Sequence, residues 1–151
     1  MARSLIIAFI LLLIFALLVF SLLGATSPAP NPQEAARLNN LGVAYMNQQL
    51  FAKALKAFED AAAADPALEV TTVNRGIALL NLQRLDDAKE LLEEAVKDNP
   101  KDAHAWYNLG RCLHQQNRLD EAADALRRAL ALECSLVTSL QSAKRAWTWS
   151  I

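Results

Sequence analysis

The feature that most constrains this chain of 151 residues is a repeat of 34 residues. Small residues recur at this step in three columns: Gly42, Gly76 and Gly110; Ala54, Ala88 and Ala122; and Ala61, Ala95 and Ala129. Pro66 and Pro100 keep the same step. Each unit holds two apolar stretches of helical period, separated by a polar turn such as residues 47–49. Small residues let crossing helices approach closely, so the pattern predicts repeated helical hairpins.

The motif of the third unit identifies the type of hairpin. Its residues are Trp106-Tyr107-Asn108-Leu109-Gly110, followed by Leu113, Ala122, Leu126 and Ala129. This pattern resembles the tetratricopeptide repeat. The resemblance covers three units, at residues 35–68, 69–102 and 103–136. It implies an all-α solenoid with a concave groove, lined by the first helix of each unit.

The segment after the third unit continues the register for half a repeat. Leu140, Ala143 and Trp147 fall on the columns that Leu38, Leu41 and Tyr45 begin. Residues 137–151 are therefore expected to form a C-terminal capping helix and tail. The apolar ending leaves open that another subunit covers this end.

The N-terminal segment has a different composition, because residues 5–23 contain a single polar side chain, Ser21. A helix of this length spans about 28 Å, close to the apolar thickness of a bilayer. Residues 1–24 are expected to be a transmembrane signal-anchor helix that contacts lipid through side chains such as Leu5, Leu12, Phe15 and Leu23. Residues 25–34 form a Pro-rich linker.

The flanking charges predict the orientation of this helix. Arg3 precedes it, and no charge follows it before Glu34, so the N-terminus is expected in the cytoplasm. The repeats would then be extracytoplasmic, and periplasmic in a Gram-negative bacterium. The alternative is a cleaved secretory signal that releases the repeats as a secreted protein.

Charge and spacing argue against nucleic-acid binding and catalysis. Fifteen Lys and Arg oppose sixteen Asp and Glu, which offers no broad cationic surface for phosphates. His104 and His114 lie about 15 Å apart along one helix, too far to share a metal. Cys112 occupies the column of Ala44 and Ala78 and is interpreted as a packed core thiol. We expect neither an enzyme nor a cofactor.

Side-chain amides repeat in two rows on the first helices. The rows are Asn40, Asn74 and Asn108, and, seven residues later, Asn47, Asn81 and Gln115. Seven residues are two helical turns, so both rows face the same way. The resemblance places them in the groove, together with Val43, Ile77, Arg111 and His114. Two interpretations stay open: the amides hold the backbone of an extended peptide, or they brace neighbouring helices.

Some tetratricopeptide-repeat proteins hold a C-terminal carboxylate with a clamp of Lys, Asn, Asn, Lys and Arg. The matching positions here carry Asn39, Val43, Asn74, His104 and Asn108. Only Asn74 fits, so this mode of binding is not supported.

The sequence thus predicts a membrane-anchored scaffold or adaptor that binds protein partners in its groove. The alternative is a structural accessory subunit of a larger membrane complex, such as a respiratory or photosynthetic electron-transfer assembly. A fold alone does not choose between these functions.

Overall fold

A computed structural model of the chain describes residues 29–148, which are all-α. The helices in this range are α1 Pro32–Asn47, α2 Phe51–Ala64, α3 Val70–Asn81, α4 Leu85–Asp98, α5 Ala103–Gln115 and α6 Leu119–Thr148. Each helix packs against the next, and α3 also contacts α1 and α5, the first helices of the neighbouring units. The three hairpins α1/α2, α3/α4 and α5/α6 therefore stack as a helical-repeat solenoid.

Local chemistry sets where the helices begin and end. The Asn31 side chain accepts a hydrogen bond from the Glu34 backbone N–H, and Pro32 occupies the first turn of α1. The linker assigned to residues 25–34 therefore ends about three residues early. Helices α2 and α4 stop at Asp65 and Asn99, because each precedes a proline that disfavours helical backbone.

The turn inside each hairpin also repeats at the 34-residue step. Gln49, Gln83 and Asn117 have φ of 59°, 61° and 61°, the left-handed region that commonly ends a helix. The next backbone N–H then bonds back to the preceding helix, as from Leu50 to the Tyr45 carbonyl at 2.9 Å. The same turn three times over keeps the two helices of every hairpin in one register.

The glycine column lies where the two helices of each hairpin approach most closely. A Cβ at Gly76 would lie 2.8 Å from Leu92 Cγ, and one at Gly110 would lie 2.7 Å from Leu126 Cγ. At Gly42 the ring of Phe58 is closer still. Since each contact joins residues 16 apart, the same crossing is built three times, and a larger residue would force it open.

The last helix differs from the sequence expectation. Residues 137–148 continue α6 as one helix of 30 residues instead of forming a separate capping helix. Cys134 stands where Pro66 and Pro100 end the earlier units, and its backbone does not interrupt the helical hydrogen bonds. The side chains of Leu140, Ala143 and Trp147 lie outside the described part, so their columns stay a prediction.

The predicted membrane anchor lies outside the described residues, including Leu5, Leu12, Phe15 and Leu23. Within residues 29–148, none of the helices combines the length and apolarity that a bilayer span requires.

We expect Gly42→Ala to destabilise the first hairpin. The added methyl group meets the buried Phe58 ring, and overpacking of this kind costs about 1–3 kcal/mol, more than the ~1 kcal/mol that Ala gains in a helix. Urea unfolding of the full chain measures the change. Gly110→Ala should cost less, because its neighbour Leu126 is partly exposed and can move. A Gly42→Ala protein more stable than wild type would contradict the close crossing.

Candidate protein-binding groove

The first helices α1, α3 and α5 lie side by side, and their shared face is the candidate groove. On α1 the predicted groove residues Asn40, Val43 and Asn47 are all exposed. Their side chains form no hydrogen bond with another described residue. This end of the face is therefore open, with an apolar side chain between two amides.

The middle of the face is more closely packed. Asn74 and Ile77 on α3 are half-buried, and so is Asn81. The Asn74 Nδ2 donates to Asn39 Oδ1 on the neighbouring α1 at 2.8 Å. The Asn81 Nδ2 donates to the Ile77 carbonyl at 2.8 Å within its own helix. Both amides thus already use a donor within the protein.

The third unit buries the first-row amide. Asn108 is 1% exposed, and its Nδ2 donates to the His104 carbonyl at 2.8 Å. Its Oδ1 accepts from Arg111 Nη1 at 3.2 Å, and this guanidinium also lies over the ring of Tyr107. The Asn108 side chain is therefore part of the core, while Arg111 is half-buried at the surface.

The six amides thus differ in environment, and the difference does not follow the two rows. Asn74 bridges two first helices and Asn108 is buried, which favours the bracing interpretation for both. Asn40, Asn47 and Gln115 are exposed and can reach a ligand. A peptide-binding role for any of these side chains stays a prediction.

The chemical character of the face changes from α1 to α5. Val43 gives the α1 end an exposed apolar surface. At the α5 end Arg111 supplies a positive charge, with His114 and Gln115 exposed beside it. The face therefore suits a segment with an apolar residue at one end and an acidic residue at the other.

Cys112 lies behind this face and is buried, as the sequence predicted. Its Sγ contacts the Leu85 carbonyl of the preceding unit at 3.3 Å. Burial raises the pKa of the Cys112 thiol, so the group stays neutral. Within the part of the chain that the structure describes, no three His, Cys, Asp or Glu side chains are grouped to hold a metal ion.

Sequence reasoning left open that another subunit covers the C-terminal end of the repeats, but it did not identify the exposed side chains there, and it missed the surface at the N-terminal end. A cavity of about 400 Å³ opens beside Leu41 in the first unit, and one of about 460 Å³ opens beside Leu130 in the third. The signal was present in the columns, since Leu126 takes the place of Phe58 and Leu92. It could have been found by asking which columns have no following unit to cover them.

Comparison with known proteins agrees with this architecture. Models of the tetratricopeptide repeat match residues 35–68 and residues 73–133. The chain is a tetratricopeptide-repeat protein. A comparison with curated protein sequences gives no significant match.

Solved structures of other proteins share the fold. The first repeat domain of Spaghetti (RPAP3), bound to the HSP90 peptide SRMEEVD, is 24% identical, with a TM-score of 0.67 over 80% of this chain and 98% of that one. The Sgt2 domain from Aspergillus fumigatus is 25% identical, with a TM-score of 0.65 over 83% and 85%. MamA is 20% identical, with a TM-score of 0.63 over 72% and 63%.

We expect Asn74→Ala to lower stability, because it removes a part-buried hydrogen bond between two first helices. Such a bond contributes about 0.5–1.5 kcal/mol net. Asn40→Ala is the matched control, since this side chain is exposed and occupies the same position one unit earlier. Thermal unfolding should separate the two variants. Equal midpoints for both would contradict the brace between Asn74 and Asn39.

Proposed function

We propose that this protein is a scaffold that binds an extended segment of a partner protein across α1, α3 and α5. The observation that carries the proposal is the exposed apolar and amide surface of α1 on the same face as the Arg111 cation of α5. The fold supports it as well, because the similar Spaghetti domain is bound to a peptide. In such a site, side-chain amides bond to peptide groups and the apolar residue adds contact area.

The dimensions suggest the length of the segment. Packed helices lie about 8–10 Å apart, so three first helices span about 20 Å. An extended chain advances about 3.3 Å per residue, so roughly six residues cross the face. We expect an apolar side chain near Val43 and an acidic one near Arg111.

The recognition differs from that expected of a carboxylate clamp. Val43 replaces a clamp amide with an apolar side chain, and the Asn74 amide donates to Asn39. A peptide that ends in acidic residues therefore lacks most of its partners here. The proposed ligand is an internal extended segment rather than a free C-terminus.

We predict that the peptide SRMEEVD does not bind the full chain in isothermal titration calorimetry. Six-residue peptides selected from a random display library should bind, and Val43→Glu and Arg111→Glu should each weaken them about tenfold or more, equivalent to about 1.4 kcal/mol. Glu59→Ala, exposed on α2, is the control that should leave binding unchanged. Tight binding of SRMEEVD, or selected peptides insensitive to both groove variants, would contradict this proposal.

The proposal includes attachment to a membrane through residues 5–23. This stretch is long enough and apolar enough to span a bilayer, and Arg3 favours a cytoplasmic N-terminus. The scaffold would then present its groove on the extracytoplasmic side, the periplasm in a Gram-negative bacterium.

Sequencing the N-terminus of the mature protein tests this attachment. We expect a start well before Ala25, and we expect protease added on the extracytoplasmic side to digest the repeats. A mature protein that begins at or after Ala25 would instead indicate a cleaved signal and a secreted scaffold.

A structural accessory subunit of a membrane complex is the second candidate. The exposed apolar side chains at the end of the third unit favour it, because a surface of this kind suits a permanent protein contact. Purification in a mild detergent distinguishes the candidates. A different protein that co-purifies in fixed stoichiometry supports the accessory subunit, and its absence supports the adaptor.

A further inference from the structure

The third unit ends in an exposed apolar surface, which we call the C-face. It is formed by Tyr107, Leu119, Leu126 and Leu130. Tyr107 is 49% exposed and Leu130 is 65% exposed, and a cavity of about 460 Å³ lies between α5 and α6 beside them. The groove face described above borders the C-face, since the Arg111 guanidinium lies over the Tyr107 ring, but Val43, Arg111 and His114 do not line this cavity.

The same columns are covered inside the protein. In the second unit, Val73 and Leu92 take the places of Tyr107 and Leu126, and they are 3% and 0% exposed. Val96, which corresponds to Leu130, is 8% exposed. The first helix of the third unit packs against α3 and α4 here. The C-face is therefore the surface on which, one unit earlier, a first helix lies.

The first unit offers the complementary surface, which we call the N-face. It consists of Leu38, Leu41, Ala44, Tyr45 and Gln48. Leu41 is 37% exposed and Ala44 is exposed, beside the cavity of about 400 Å³. Their counterparts Leu109 and Cys112, on the helix that packs against the second unit, are 5% and 0% exposed. The N-face thus repeats the surface that α5 buries.

A polar pair matches the two faces more specifically. Across the boundary between the second and third units, Gln116 Nε2 donates to Asp86 Oδ1 at 2.9 Å. At the 34-residue step, Gln116 corresponds to Gln48 on the N-face, two units earlier, and Asp86 corresponds to Asp120, one unit later and next to Leu119 of the C-face. Both residue types are kept. The boundary between the first and second units has Leu82 and Ala52 at these positions. The pair therefore forms at one internal boundary, and its two residue types recur separately, one on each end face.

We propose that the C-face of one copy binds the N-face of a second copy, head to tail. Helix α1 of the second copy then lies on α5 and α6 as α5 lies on α3 and α4. Gln48 of the second copy donates to Asp120 of the first, as Gln116 does to Asp86. A second copy is the occupant because both halves of the interface are on this chain and share the residue types of an interface that it already forms. Such a contact is heterologous, so copies add in series.

The test uses the full chain in a mild detergent, with mass measured by light scattering over a range of concentrations. Wild type should form a series of oligomers that grows with concentration. Leu130→Glu blocks the C-face and Leu41→Glu blocks the N-face, and each variant alone should be monomeric. A charged side chain at position 41 is compatible with the fold of the single chain, because Leu41 is 37% exposed.

Mixing the two variants gives the decisive result. Each has one intact face, so an equimolar mixture should form a dimer and no larger species. Val43→Glu is the matched control, since it places the same charge at an exposed apolar position on the groove face and should leave the series intact. Peptide binding and association are measured on the same variant. Peptide binding that persists in Val43→Glu contradicts the groove proposal alone, and association that is lost in it contradicts this proposal alone.

The polar pair provides an independent check. Gln48→Glu should weaken association about fivefold or more, because it sets two carboxylates against each other, and Asp120→Lys in the same chain should restore it. The proposal is overturned if wild type is monomeric at all concentrations. It is equally overturned if the Leu130→Glu and Leu41→Glu proteins do not associate when mixed. Association of each variant by itself would also overturn it, and would indicate contact through residues 5–23 instead.

Discussion

The close crossing of two helices at a glycine, made three times, is the contact on which the rest of the solenoid depends. At Gly42, Gly76 and Gly110 the partner helix leaves no room for a Cβ. The side chain that fills this position, a Phe or a Leu, therefore lies against backbone instead of against another side chain. The short distance between the two helices of each hairpin lets α1, α3 and α5 lie next to one another. This arrangement creates the groove face and both end faces.

The features that the sequence predicts correctly are those that depend on neighbours within one hairpin. Glycine, alanine and proline columns mark the crossing and the helix ends, and they act over short distances on the chain. Cys112 is an exception: the small residues in its column predicted a core thiol, yet it is buried against the preceding unit rather than within its own hairpin. The resemblance to the tetratricopeptide repeat adds the way in which the hairpins stack.

Features that depend on the position of a unit in the stack are harder to predict. Asn40, Asn74 and Asn108 have identical spacing, yet they are exposed, half-buried and buried. The first has no preceding unit beside it, the second donates to Asn39 on the neighbouring first helix, and the third is 1% exposed in the core. A periodic sequence thus defines equivalent positions in each unit. A unit at the end of the stack lacks a neighbour on one side, so its residues have a different environment. The last helix shows the same limit, since a matching register past Cys134 does not by itself end α6.

The position of Cys112 between two units has a practical consequence. Its Sγ lies against the Leu85 carbonyl, so a thiol reagent reaches it only when the third unit moves away from the second. Cys134 is exposed and reacts at the rate of an open thiol. The ratio of the two labelling rates in one sample therefore reports how often this boundary opens in the native protein. The chain carries its own probe of local separation, together with an internal standard, without any substitution.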